Sequence, residues 1–138
     1  DYLVKDKKSL AVIVNMGLHY IDNPVPNFSR MDYRHQMTAA LTYLHNFALS
    51  HTNKNIRIFW RETSAQHFPT PNGYWPGAKY ASVMKLNCVP HQDTSAETDW
   101  RNREVEQILS SKKLFMIKVI PFYNITAPLW SSHPGGPL

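Results

Sequence analysis

The sequence predicts an α/β fold built on an open, mostly parallel sheet, and three stretches carry that prediction. Residues 10–14 (LAVIV) form a short apolar run with no polar alternation, the pattern of a strand buried on both faces. Between Met31 and Ser50 the apolar residues return every three or four positions, as on one side of a helix. Residues 56–60 (IRIFW) form a second β-rich run. Strand, helix and strand in succession make a βαβ unit, whose crossover is right-handed in nearly all folds.

Length and composition bound the rest. A chain of 138 residues, 43% of them hydrophobic, predicts one domain with a substantial core. The net charge of +5 is spread over Lys5, Lys7, Lys8, Arg101, Arg103, Lys112 and Lys113, and no aromatic-basic repeat of an RNA-binding sheet occurs. Nucleic acid is therefore not the expected partner; an acidic polysaccharide or a headgroup surface fits the charge equally well. No apolar run reaches the ~18 residues of a bilayer span, so membrane association is expected only through a segment outside this chain. Asn27-Phe28-Ser29 and Asn124-Ile125-Thr126 match the glycosylation acceptor pattern and point to a secretory route, Golgi lumen or beyond. Cys88 is the single cysteine: in a secreted protein it suggests a partner outside the chain, in the cytosol a free thiol.

Taken in order, residues 1–9 are charged and loop-like, and the first strand follows. It ends in Asn15, Gly17 and His19, placed where open parallel sheets bind ligands, just beyond the carboxyl ends of strands. The ordinary alternative is that Asn15 and Gly17 only turn the chain. Residues 22–29 (DNPVPNFS) read as a loop. In the helix that follows, Tyr33, Met37, Ala40, Leu41, Leu44, Phe47 and Ala48 are expected inward and Arg34, Gln36 and Asn46 outward, with His35, His45 and His51 on the surface. After the second strand, residues 61–67 (RETSAQH) occupy its carboxyl end, and a long Pro-, Gly- and aromatic-rich connection follows. Thr98 or Asp99 is expected to cap a helix running to Ser111, with Trp100, Val105, Ile108 and Leu109 inward. Residues 114–120 (LFMIKVI) read as the third strand, stopped by Pro121, and residues 122–138 as irregular.

If both crossovers march in one direction, both helices fall on the same side of the sheet and the other face has no cover. The chain is then expected to be the carboxyl-terminal part of a larger α/β domain whose first strands are absent. A reversed strand order would instead put one helix on each face.

These residues resemble a known family. VIVNMGLHY is similar to the N-x-G-H segment, and FWRETSAQHF to the F-R-T-x-S-P-x-H-F segment, of the PC-esterase branch of the SGNH/GDSL-like acyl esterases, which includes the trichome-birefringence-like polysaccharide O-acetyltransferases. Asn124-Ile125-Thr126 with His133-Pro134 resembles the stretch just before that family's D-x-x-H motif. The resemblance implies a three-layer, flavodoxin-like SGNH-hydrolase fold, incomplete in this chain, and a fragment (1–138) of a serine acyl esterase or O-acetyltransferase acting on glycan hydroxyls. The family's G-D-S serine is expected to precede residue 1, and its Asp and His to follow Leu138. Asn15 matches the oxyanion-donating asparagine. Gly17, His19, Arg61, Ser64 and His67 are expected to shape the acyl or sugar pocket, while Ala65 departs from the family's proline. Cys88 resembles a family cysteine and would be one half of a disulfide. A glycan or acyl donor is the implied partner, and no cofactor is implied. A catalytically inactive carbohydrate-binding or structural domain of the same fold is the alternative.

Ser64 and His67 lack an orienting carboxylate beyond Glu62, so one loop would have to supply a whole triad. His133 stands before the expected position of the family's D-x-x-H. Seven histidines without H-x-x-x-H or clustered Cys/His spacing give no zinc pattern, so no metal site is expected.

Overall fold

The computed structural model describes residues 9–18, 20, 29–67 and 100–132. The readings for His19, Asn27, Cys88, His133, the Thr98 or Asp99 cap and the long connection after His67 lie outside the described residues. The chain divides into two compact units, Asp1–Thr63 with Arg101–Ile120, and Ser64–Trp100 with Pro121–Leu138.

The first unit is α/β. Its strands are β1 (Ser9–Val14), β2 (Asn55–Arg61) and β3 (Ile117–Ile120), with α1 (Arg30–Ser50) before β2 and α2 (Trp100–Ser111) before β3. The strands form a parallel sheet in the order β1-β2-β3, so the strand order does not reverse. Register places Val12 beside Ile58 and Ile58 beside Ile117; the next row is Ile13, Phe59 and Lys118.

Alternation along each strand separates two unlike faces. Ile56, Ile58, Trp60 and Ile117 are buried, with Leu10, Val12 and Val14 half-buried beside them. Ala11, Ile13, Arg57 and Lys118 on the other face are exposed. The apolar run of β1 is thus not buried on both sides. Its burial alternates, because both helices lie on one side. They touch through Arg34, which pairs with Glu104 and donates from Nη2 to Gln107 Oε1 at 3.0 Å.

Helix α1 begins where a capping box satisfies its first free amides. Ser29 Oγ accepts from the Asp32 amide at 3.2 Å, and the Asp32 carboxylate accepts from the Ser29 amide at 3.0 Å. The Ser29 hydroxyl also donates to the Asp32 carboxylate, and that bond, with the one from the Ser29 amide, holds the Asp32 carboxyl below its ordinary range. Tyr33, Met37, Leu41 and Ala48 are buried, as the helical period predicts, whereas Ala40 is exposed and Leu44 and Phe47 are half-buried. His45 corrects the expectation of a surface residue. It is buried, its Nδ1 accepts the Met116 amide at 3.3 Å, and its ring stands edge-on to Phe115. A buried imidazole with a backbone donor has its polar atom satisfied, so the apolar face tolerates it.

The third strand is shorter than its apolar run. Lys113 turns left-handed (φ 55°), Leu114 donates back to Leu109 O and Lys113 to Ser110 O, and the helix closes in a Schellman motif. That closure uses Leu114 as the buried residue beyond the helix and delays pairing until Ile117. In the second unit, α3 (Tyr123–Thr126) and a 3₁₀ turn (Trp130–Ser132) add order to a tail read as irregular.

Candidate functional site

The polar groups of the first unit gather at the carboxyl ends of β1 and β2. Asn15 is the first residue after β1 and is half-buried. Its Nδ2 donates to Arg61 O at 2.8 Å and to Thr63 Oγ1 at 3.3 Å. Both amide hydrogens therefore tie the end of β1 to the residues that leave β2. Arg61 meets Asn15 through its backbone carbonyl.

Thr63 is the hub of this cluster. It is buried, and the carboxamide of Asn102 on α2 grips its backbone twice: Asn102 Oδ1 accepts from Thr63 N at 2.8 Å, and Asn102 Nδ2 donates to Thr63 O at 3.0 Å. A loop leaving a strand has backbone groups that the sheet no longer satisfies, and a primary amide, with one donor and one acceptor side by side, matches them as another strand would. Thr63 cannot drift without breaking both bonds, and Asn15 is anchored to Thr63.

Gly17 completes the wall. It is buried, and a Cβ there would lie 2.9 Å from Thr63 Oγ1 and 3.0 Å from Arg101 Cδ. Glycine is needed at this position for close approach as well as for turning the chain, since Gly17 O accepts the Tyr20 amide at 3.0 Å. Arg101 in turn donates from Nε to Tyr20 O at 3.0 Å, with Nη2 on the same carbonyl. Beneath, the fully buried Tyr33 donates to Met16 O at 3.1 Å and meets the Tyr20 ring edge-on. Burial pushes the Tyr33 phenol above its ordinary range, so it remains a neutral donor throughout the physiological range.

In the second unit, His67 is buried and its Nε2 lies 2.9 Å from Ala127 O. A carbonyl only accepts, so that nitrogen carries the hydrogen. Ser64 is half-buried, and its Oγ accepts from Gln66 Nε2 at 3.3 Å. Thr126 Oγ1 accepts the Ala65 amide at 2.9 Å, joining the loop after Ser64 to α3. Asn124 on α3 is exposed. Among the described residues no group of three or more His, Cys, Asp or Glu side chains is arranged to hold a metal ion, and no helix is long and apolar enough to cross a membrane.

The structure thus joins Asn15, Gly17 and Arg61 in one cluster of the first unit, and holds Ser64 and His67 in the second. Thr63 and Asn102 carry no signal of this role in the sequence, where Tyr33 reads only as an inward helix residue and Arg101 only as one of the scattered cations. Asn102 reads there as one more polar residue of a helix, and its partner lies 39 positions away. No protein family, curated protein or solved structure matches this chain.

Proposed function

We propose that this chain carries the oxyanion side of a serine acyl esterase or O-acetyltransferase that acts on glycan hydroxyls, within a three-layer SGNH-type fold in the Golgi lumen or outside the cell. The observation behind this reading is the Asn15 carboxamide, held at the carboxyl end of β1 on Arg61 O and Thr63 Oγ1. In this reading flanking sequence supplies the serine and the Asp-His pair, the serine is acylated, and the acyl group passes to water or to a sugar hydroxyl. The tetrahedral oxyanion draws one hydrogen of Asn15 away from Thr63. That bond is the longer of the two, and an anionic acceptor outcompetes a neutral hydroxyl. A preorganised donor of this kind is worth ~3 kcal/mol of transition-state stabilisation. Arg61 shapes the acyl or sugar pocket in this scheme.

The engagement of both Asn15 hydrogens by protein acceptors favours a second reading, a catalytically inactive carbohydrate-binding or structural domain in which Asn15 is a tie between strands. Asn15→Ala in the natural full-length protein separates the two. The enzyme reading expects turnover of an acetyl ester by the parent protein and a fall of about 100-fold in the variant, beyond the drop in melting temperature that loss of the two ties brings in either reading. The structural reading expects no turnover even before substitution and a lowered melting temperature after it. Acetyl-ester turnover by residues 1–138 alone, abolished by Ser64→Ala, would overturn both and revive the local Ser-His pair.

A further inference from the structure

The fold splits the acceptor triplet Asn124-Ile125-Thr126 into two halves. Asn124 is exposed, and its carboxamide has no hydrogen-bond partner among the described residues. Thr126 is half-buried and its hydroxyl is fully engaged. Its Oγ1 accepts the Ala65 amide at 2.9 Å, and its hydrogen is shared between Phe122 O at 3.1 Å and Tyr123 O at 3.0 Å. Both residues belong to α3, and in a helix positions i and i+2 stand about 200° apart around the axis, so they do not face each other. The carboxamide looks outward while the hydroxyl is turned onto the loop after Ser64.

The chemistry of the triplet needs both groups together, because the pattern demands a hydroxyl two positions after the asparagine. A helix of four residues does not persist alone. What holds α3 is the bond from the Ala65 amide to Thr126 and the one that His67 Nε2 donates to Ala127 O at 2.9 Å. Until the segment docks on residues 65–67, its amide and hydroxyl are free to be read as one acceptor. Once docked, they are not.

We infer that Asn124 accepts an N-linked glycan only before α3 forms, and that folding of α3 closes the site. In the transfer the Asn124 side-chain nitrogen bonds to the anomeric carbon of an oligosaccharide carried on a lipid pyrophosphate. The bond from that carbon to the phosphate oxygen breaks, the lipid pyrophosphate leaves with the electron pair, and the amide gives up one proton. A glycan so attached projects into solvent from the exposed side of α3 and leaves the ties of Thr126 and Ala127 intact, so the modified chain can still fold. The inference rests on the secretory part of the reading above and is independent of its acyl chemistry.

The test translates the 138-residue chain behind a secretory leader. It carries Asn27→Gln, so that only Asn124 reports. In one arm microsomes are present during synthesis. In the other the chain is completed and folded first, as protease resistance verifies, and then meets detergent-opened microsomes that glycosylate an unstructured control peptide. The first arm is expected to yield a size shift that peptide N-glycosidase removes and Asn124→Gln abolishes. The second is expected to yield about tenfold less of it, a ratio set by how rarely α3 opens. Ala65→Pro, which deletes the amide that Thr126 accepts, should raise the yield of the second arm. No glycan on Asn124 during synthesis, or equal yields in the two arms, would overturn the inference. Because the leader delivers the chain, neither result depends on where the natural protein resides. A natural full-length protein that shows no glycosidase-sensitive shift in cells, beside a positive first arm, would overturn the secretory reading and with it the natural use of the site.

Discussion

Two rows of the same sheet, one residue apart in sequence, have opposite fates. Ile58 on the helix side is 1% exposed and its register neighbour Ile117 is 6% exposed, while Ile13 in the next row is 62% exposed beside Phe59 and Lys118. Composition does not separate the rows, since β1 is apolar at both. Topology does. Right-handed crossovers between strands laid down in the order β1-β2-β3 leave α1 and α2 on one side, and only that side acquires a core.

The largest expected effect tests this contrast directly. Ile58→Ala removes a side chain enclosed on all sides and should cost about 3 kcal/mol, whereas Ile13→Ala should stay within about 0.5 kcal/mol. Urea titrations at matched slopes measure both. Equal losses would show that the two rows share one environment and would sink the one-sided core.

A middle-sized effect belongs to the strand ends, where tight approach replaces hydrophobic burial. Gly17→Ala sets a methyl group against Thr63 Oγ1, and Asn102 prevents Thr63 from yielding. The expected loss is about 2 kcal/mol. Thr63→Ala in the same chain should return part of it, since the clashing oxygen is then gone. Strict additivity in that double-mutant cycle would mean that the two residues are not in contact.

The same contrast explains how much was legible in the sequence. Periodicity marked α1 and its buried Tyr33, Met37 and Leu41, and the order of strands and helices followed from apolar runs separated by polar turns. Periodicity cannot say which side of an all-apolar strand is covered, because that depends on where later elements are deposited. Nor could it find His45, whose burial rests on one backbone donor 71 positions away. The left-handed Lys113 is hidden too, because a lysine carries no signal for that conformation, and so the apolar run reads as a strand from Leu114. At the candidate site, Asn15 and Gly17 stood out at the end of an apolar run, but Thr63 and Asn102 acquire meaning only once β2 and α2 are side by side.

The smallest expected effect concerns how α1 starts, and pH reads it. Hydrogen bonds from the Ser29 side chain and backbone favour the ionised Asp32 carboxyl, so its folded pKa lies below the ordinary 3.8. A depressed folded pKa means that the unfolded chain takes up the proton first. The capping contribution is therefore fully present above pH ~4 and is lost as pH falls through the folded value. Asp32→Asn abolishes the titration and leaves a weaker, neutral acceptor for the Ser29 amide. Thermal midpoints between pH 6 and pH 3 should then fall less steeply in the variant than in the parent chain, the two curves converging at the acid end. Parallel curves across that range would mean that the carboxylate adds nothing to the cap and that Ser29 alone starts the helix.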